Sequence, residues 1–210
     1  MLSNLNFPHN LGKEIIVVDD GSDDGTSELL RQFTESENIE IIRNGVNRGK
    51  AAALKLGLAV ASGKIVAIQD ADMEYDPRDL PRLVENLLDR RVSAVYGSRF
   101  LNKLPSSRLS RIIGNLFLSL ATRVLFRIEV TDVMTGHKVF LRELLNHISL
   151  TSNDFEFEVE LTAKIALLRC KIFEIPIRYQ RRRNGSSHIS WLDGVKSLWR
   201  LVMCRVSMIL

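Results

Sequence analysis

The chain has 210 residues, 45% of them apolar and 26% charged, with a formal net charge of +4. This length suits one domain, or one domain with an appendage, and the balance excludes a disordered or collagen-like chain. Cys170 and Cys204 stand outside any CxxC pair, which excludes a disulfide framework or a zinc ribbon and points to a reducing compartment.

The first two-thirds alternates strand and helix signals. Residues 14–19 (EIIVVD) form a β-branched run ending in Asp and Gly, read as a buried strand. Residues 26–35 predict a helix with Leu29, Leu30 and Phe33 on one face, and 39–43 (IEIIR) a second strand. An Ala/Leu-rich helix follows over 50–61, a third strand over 64–69 (KIVAIQ), a helix over 81–90 and a strand over 94–97. The last third predicts an apolar helix over 110–127, a helix over 155–168, a strand-like stretch over 172–179 and a terminal helix over 191–210. Alternation with continuous apolar strands argues for an α/β fold with a mostly parallel sheet. Ligands in such sheets bind beyond the carboxyl ends of the strands, so Asp19-Asp20 and Asp70-Ala71-Asp72 are expected to face one crevice.

The segment 19–26, DDGSDDGT, offers Asp20, Ser22 and Asp24 as calcium ligands. An EF-hand needs Glu at position 12, where this chain has Arg31, so the calcium reading fails. Helix capping accounts for Asp23–Thr26 but leaves Asp19 and Asp20 unexplained. A carboxylate at that strand end can accept a base N–H. The segment NRGKAAAL (47–54) is not a P-loop, because three residues separate Gly45 from Gly49 and Ala51 follows Lys50. Gly49 permits close backbone approach, and Lys50 opens a helix, where anions bind well; a plain solvated turn is the alternative. In QDADMEYDP (69–77), Asp70, Asp72 and Glu74 are oxygen ligands suited to Mg²⁺ or Mn²⁺, which bind one or two carboxylates plus substrate phosphates. A polar loop ending at Pro77 is the alternative.

Arg99, Arg111 and the group Arg178, Arg181, Arg182 and Arg183 could grip phosphate, although most single arginines are simply solvated. No nucleic-acid partner is expected, for want of interleaved aromatics or a recognisable module. The run 112–126, broken by Asn115 and Arg123, is shorter than the roughly 20 apolar residues that span a bilayer. In the last helix Trp191, Val195, Leu198, Val202, Val206 and Ile209 recur every three or four residues, a pattern that suits either core packing or a membrane interface.

Seven segments then occur in order: EIIVVDDGSDDGT, NRGKAAAL, QDADMEYDP, VYGSRF, TDVMTGHKVF, FEVELTAK and EIPIRYQRR. Together they resemble family-2 glycosyltransferases of the dolichyl- or polyprenyl-phosphate sugar synthase branch, over residues 14 to about 200. The resemblance implies a GT-A-type fold, Rossmann-like with apolar C-terminal helices, and inverting transfer of a sugar from a nucleotide donor to a polyprenyl phosphate. It implies that Asp20 contacts the base, that Lys50 and Asp70 lie at the nucleotide sugar, and that Asp70 and Asp72 are catalytic. Asp72 and Glu74 would hold Mg²⁺ or Mn²⁺, and Arg99, Arg111 and Arg182 the phosphates. A lipid phosphate is already anionic and needs no strong base; a hydroxyl acceptor would need one, with Asp132 and Glu158 the candidates. The expected setting is the cytoplasmic face of a membrane.

Two departures stand out. The family carries a strand with a V-I-P-x-Y-N-E-like motif ahead of EIIVVDDGS, and residues 1–13 read instead as a polar remnant. His188 occupies a place where relatives usually have Lys. The sequence thus predicts one catalytic domain over 1–210, truncated at its start relative to the family. The alternatives are a soluble or polysaccharide acceptor, or a fragment that does not catalyse.

Overall fold

The computed structural model describes residues 1–34, 38–102, 109–180 and 191–207. Strand β1 (Ile15–Asp19) pairs in parallel with β2 (Ile39–Arg43), with Ile15 opposite Ile39 and Asp19 opposite Arg43. Between them runs α1 (Thr26–Leu30), which tightens into a 3-10 turn over Arg31–Phe33. The longer helix expected there is cut short, and Leu29 and Phe33 are exposed, so little burial rewards its continuation.

A second sheet has the order β3-β5-β4-β6, built from β3 (Ile65–Ile68), β4 (Ala94–Ser98), β5 (Lys138–Leu141) and β6 (Ile172–Pro176). Strands β4 and β6 are parallel, whereas β5 runs antiparallel to both β3 and β4. The sheet is therefore mixed rather than mostly parallel. Strand β5 gives little signal in the sequence, because KVFL is short and opens with a lysine that is buried in the fold. Reversing β5 brings its first residues to the same sheet end as the carboxyl ends of β3 and β4.

Helices α2 (Lys50–Val60), α3 (Leu80–Arg90), α4 (Leu109–Phe126), α5 (Phe157–Leu167) and α6 (Trp191–Val206) complete the fold. Strand side chains alternate between faces. Val95, Val139 and Ile175 pack on Leu80, Leu83, Val84 and Leu87 of α3. Ala94, Tyr96 and Phe140 pack on Ala51 of α2 and Phe157, Leu161 and Ile165 of α5. A third cluster joins α4, α5 and α6 through Leu118, Val159, Ala163, Leu201 and Cys204.

Residues 1–13 are more than a polar remnant. They form two 3-10 turns, and Leu2 and Phe7 pack against the α3 cluster. Among the described residues, β1 and β3 each pair on one side only. The two starts are tied by Glu14, whose carboxylate accepts the N–H groups of Ser62 and Gly63 at 2.8 and 2.6 Å.

Candidate functional site

The two acidic strand ends do share a crevice, and the start of α2 joins them. Asp20, just past β1, accepts Asn44 Nδ2 at 2.7 Å, the Gly49 N–H at 2.7 Å and the Arg48 N–H at 3.1 Å. This arrangement works because Gly49 has φ +91°, a conformation only glycine adopts without strain, and then opens α2. The next residue, Lys50, places its ammonium 2.9 Å from Asp70 at the end of β3 and 2.9 Å from Glu158 on α5. Three donors already occupy Asp20, so it organises the 44–49 loop while edging the crevice. Its neighbour Asp19 is buried and capped by Ser22 and Ser27, whose hydrogen bonds hold its carboxyl low.

Beneath Lys50 lies a chain of buried charges. The alternation of β5 turns Lys138 toward α5, where its ammonium pairs with Glu158 and donates to the carbonyls of Val133 and Thr135 at 3.0 and 2.6 Å. Burial alone would raise the Glu158 carboxyl, but Lys138 and Lys50 outweigh it and hold it low. Burial alone would depress the Lys50 ammonium, but Glu158 and Asp70 keep its pKa above the ordinary value. Lys50 is thus a permanent cation at the crevice floor.

Asp70 has its place because of Gly136, just before β5. A methyl there would lie 2.8 Å from Asp70 Cγ and 3.1 Å from Tyr75. Asp72 accepts the Glu74 N–H at 3.0 Å, which turns the acidic loop tightly. The Tyr179 hydroxyl donates to the Glu74 carboxylate, while the Gln180 N–H donates to the Glu74 carbonyl at 2.9 Å. The acidic loop is therefore strapped to the segment leaving β6.

Under this loop, Gln69 Nε2 donates to the carbonyls of Asp70 and Tyr75, so its Oε1 must be an acceptor. His137 Nε2 lies 2.6 Å from that oxygen and so carries the proton of the neutral ring. Among the described residues its buried Nδ1 has no partner, and burial pushes the imidazole pKa down to about 4.

Arg99 follows β4 and forks onto Asp132, Nε to Oδ2 and Nη2 to Oδ1, both at 2.7 Å. Asn115 on α4 donates to the same Oδ1 at 2.7 Å. Burial would raise the Asp132 carboxyl, but the guanidinium outweighs it and holds it low. Arg99 also lies 5.4 to 5.8 Å from the rings of Tyr179, Tyr75 and Phe100. Arg111 is half-buried one turn before Asn115 on the same side of α4. Arg182 and His188 lie outside the described residues.

Asp20, Lys50, Asp70, Asp72 and Arg99 therefore gather at one end of the molecule. Residue type and spacing alone do not point to the supporting Lys138, Asn115, Gly136 and His137. The faint signals are a lysine opening a strand, an asparagine inside an apolar helix and the glycine of TGHK. Among the described residues, no three or more His, Cys, Asp or Glu side chains converge in metal-binding geometry. Asp70 and Asp72 still suit a hard divalent ion whose other ligands come from a bound diphosphate.

Residues 2–149 match the model of glycosyl transferase family 2. The chain belongs to glycosyltransferase family 2. This family-2 enzyme is 31% identical over 202 residues to an uncharacterized protein of Methanocaldococcus jannaschii, covering 92% of this chain and 82% of that one. It is 29% identical over 187 residues to an undecaprenyl-phosphate mannosyltransferase of Micrococcus luteus, covering 84% and 76%. The transferase also superposes on the crystal structure of glucosyl-3-phosphoglycerate synthase from Mycobacterium tuberculosis in complex with Mn²⁺, UDP-glucose and phosphoglyceric acid. The TM-score is 0.70 at 23% identity, over 94% of this chain and 70% of that one. That likeness bears out the GT-A-like α/β fold. The enzyme thus transfers a sugar from a nucleotide-sugar donor.

Proposed function

We propose that the enzyme moves a sugar, with inversion, from a nucleotide donor to a polyprenyl phosphate. One observation carries the choice of acceptor. The two carboxylates offered as general bases are both buried, paired with cations and held low: Asp132 on Arg99, and Glu158 on Lys138 and Lys50. Neither suits taking a proton from a hydroxyl. A phosphate monoester arrives anionic and needs no such step. The named Micrococcus luteus relative supports the same acceptor class.

In this reading the 44–49 loop, held by Asp20, edges the nucleotide pocket. Lys50 gives the diphosphate a fixed cation and holds Asp70 in place. Asp72 and Glu74 would hold Mg²⁺ or Mn²⁺, with Asp70 beside them at the nucleotide sugar. The ion would offset charge developing on the leaving nucleoside diphosphate. Arg99, pre-oriented by Asp132, and Arg111 would take the acceptor phosphate, joined by Arg182 from outside the described residues. The cytoplasmic setting is part of the same proposal.

The test is a panel of UDP- and GDP-sugars offered with polyprenyl phosphate, polyprenol or 3-phosphoglycerate as acceptor. Product on polyprenyl phosphate alone supports the reading. Product on 3-phosphoglycerate or on the alcohol in preference to the lipid phosphate overturns it.

A further inference from the structure

The crevice lies at the carboxyl ends of β3 and β4, and the opposite pole of the sheet carries a separate cavity. Strands β4 and β6 run in parallel from Ala94 and Ile172, at that pole, to Ser98 and Pro176, roughly 15 Å away. A cavity of about 410 Å³ opens between the ends of α4 and α5 and the start of β6. That volume is in the range of small-molecule sites. Phe126, Ile128, Ala166 and Phe173 give it a largely covered apolar floor, and the exposed Arg127, Glu129, Arg169 and Lys171 stand around it. A smaller cavity alongside shares Arg127 and Glu129 and adds Arg123.

The cations at this pole are unmatched. Among the described residues, none of Arg123, Arg127, Arg169 and Lys171 stands in an ion pair, not even with Glu129. The crevice cations differ, since Lys50 is held by Asp70 and Glu158, and Arg99 by Asp132. Positive charge therefore exceeds negative around an apolar floor. A compact apolar body bearing an anionic group satisfies both parts of such a cavity.

Helix dipoles alone do not account for these arginines. A cation in the last turn already serves each carboxyl end, Arg123 on α4 and Lys164 on α5. Arg127 and Arg169 stand just past those helices, at φ +55° and +58°, in the left-handed turn that glycine usually fills. Each accepts that backbone strain and lines the cavity. We propose that the cavity binds a small organic anion, a phosphate or carboxylate on a compact apolar body, with Arg127, Arg169 and Lys171 on the anionic group and the apolar floor on the body. The site is separate from the sugar-transfer crevice and stands whatever the acceptor of that reaction is.

Cys170 lines the cavity and is partly exposed, whereas Cys204 is buried, so the chain carries its own reporter and its own control for unfolding. The full chain is alkylated with iodoacetamide, a neutral reagent, and both cysteines are followed by peptide mass. The probes are naphthyl phosphate, naphthoate, naphthol and inorganic phosphate. Naphthyl phosphate or naphthoate should slow alkylation of Cys170 on the order of tenfold when present at about ten times its Kd, and the stronger of the two identifies the anionic group. Naphthol and inorganic phosphate each supply one part of the chemistry and should need at least about tenfold higher concentration. Added salt should weaken protection by the anions. Arg127→Gly with Arg169→Gly removes both guanidinium groups and relieves both left-handed turns, so protection should vanish in a chain that melts no lower than wild type. Lys171→Gln, at no helix end, should weaken protection by itself. Three results would overturn the proposal: no protection by either naphthyl anion while Cys204 stays unreacted, protection by naphthol equal to that by the anions, or protection that survives in the double glycine variant.

Discussion

Gly136→Ala is the sharpest perturbation of the site. The added methyl would stand 2.8 Å from Asp70 Cγ, where carbon atoms prefer about 3.5–4.0 Å. Relief requires a shift of about 1 Å, and the carboxylate of Asp70 is the part that can move. The backbone at 136 needs no glycine conformation, since its φ is not positive. The fold should therefore survive, with overpacking costing about 1–3 kcal/mol and the melting temperature falling by up to roughly 10 °C. Asp70, however, would leave the position in which Lys50 holds it. A displacement of that size at a reacting centre costs on the order of 10²-fold in kcat/KM. The assay is steady-state transfer alongside thermal melting. Wild-type kinetics in a folded Gly136→Ala chain would refute the reasoning that Asp70 must occupy this place.

Other outcomes follow from the same geometry. Asp132→Ala strands the Arg99 guanidinium without its partner; roughly 3–5 kcal/mol of stability should be lost, about 10 °C in a melt. If the melting temperature is unmoved, the pair is not the clamp described. His137 has a folded pKa near 4, below the ordinary value of 6.5 for an unfolded histidine. The unfolded chain therefore takes the proton first, and stability falls as pH drops from about 6.5 to about 4. His137→Gln should flatten the melting curve in that window, and an unchanged slope would contradict the assignment. Glu160 is held near pKa 2, where burial is outweighed by Lys164 and the Ser152 and Thr151 donors, so its stability contribution is lost below about pH 4.5. Glu160→Gln should remove that lower step from melts taken across the acid range.

Much of this fold follows from pattern. β1, β2 and β4 announce themselves as β-branched or apolar runs, and α3 as a periodic one, because each buries a continuous face. β5 does not, since its strand begins with a lysine whose burial makes sense only once Glu158 from α5 is beside it. The site divides in the same way. Asp20, Lys50, Asp70 and Asp72 stand at strand and helix ends, where local sequence reports position. Asn115 looks like a flaw in an apolar helix until Asp132, distant in sequence, supplies its partner. Asp132 and Glu158 look like bases by residue type alone; the cations that tie them come from other elements. Gly136 carries no periodic signal at all, and its reason is the carboxylate it admits.

The central claim is metal-assisted sugar transfer to a lipid phosphate. Its most direct test is transfer of labelled sugar to polyprenyl phosphate by the full chain, with Mn²⁺ or EDTA, beside Asp72→Asn. The account predicts labelled lipid with Mn²⁺, none with EDTA, and a loss of at least about 10²-fold in the variant, whose fold and melting are unchanged. Transfer by the wild-type chain that ignores both EDTA and the loss of Asp72 would contradict it, as would a folded wild-type chain that makes no product from any UDP- or GDP-sugar.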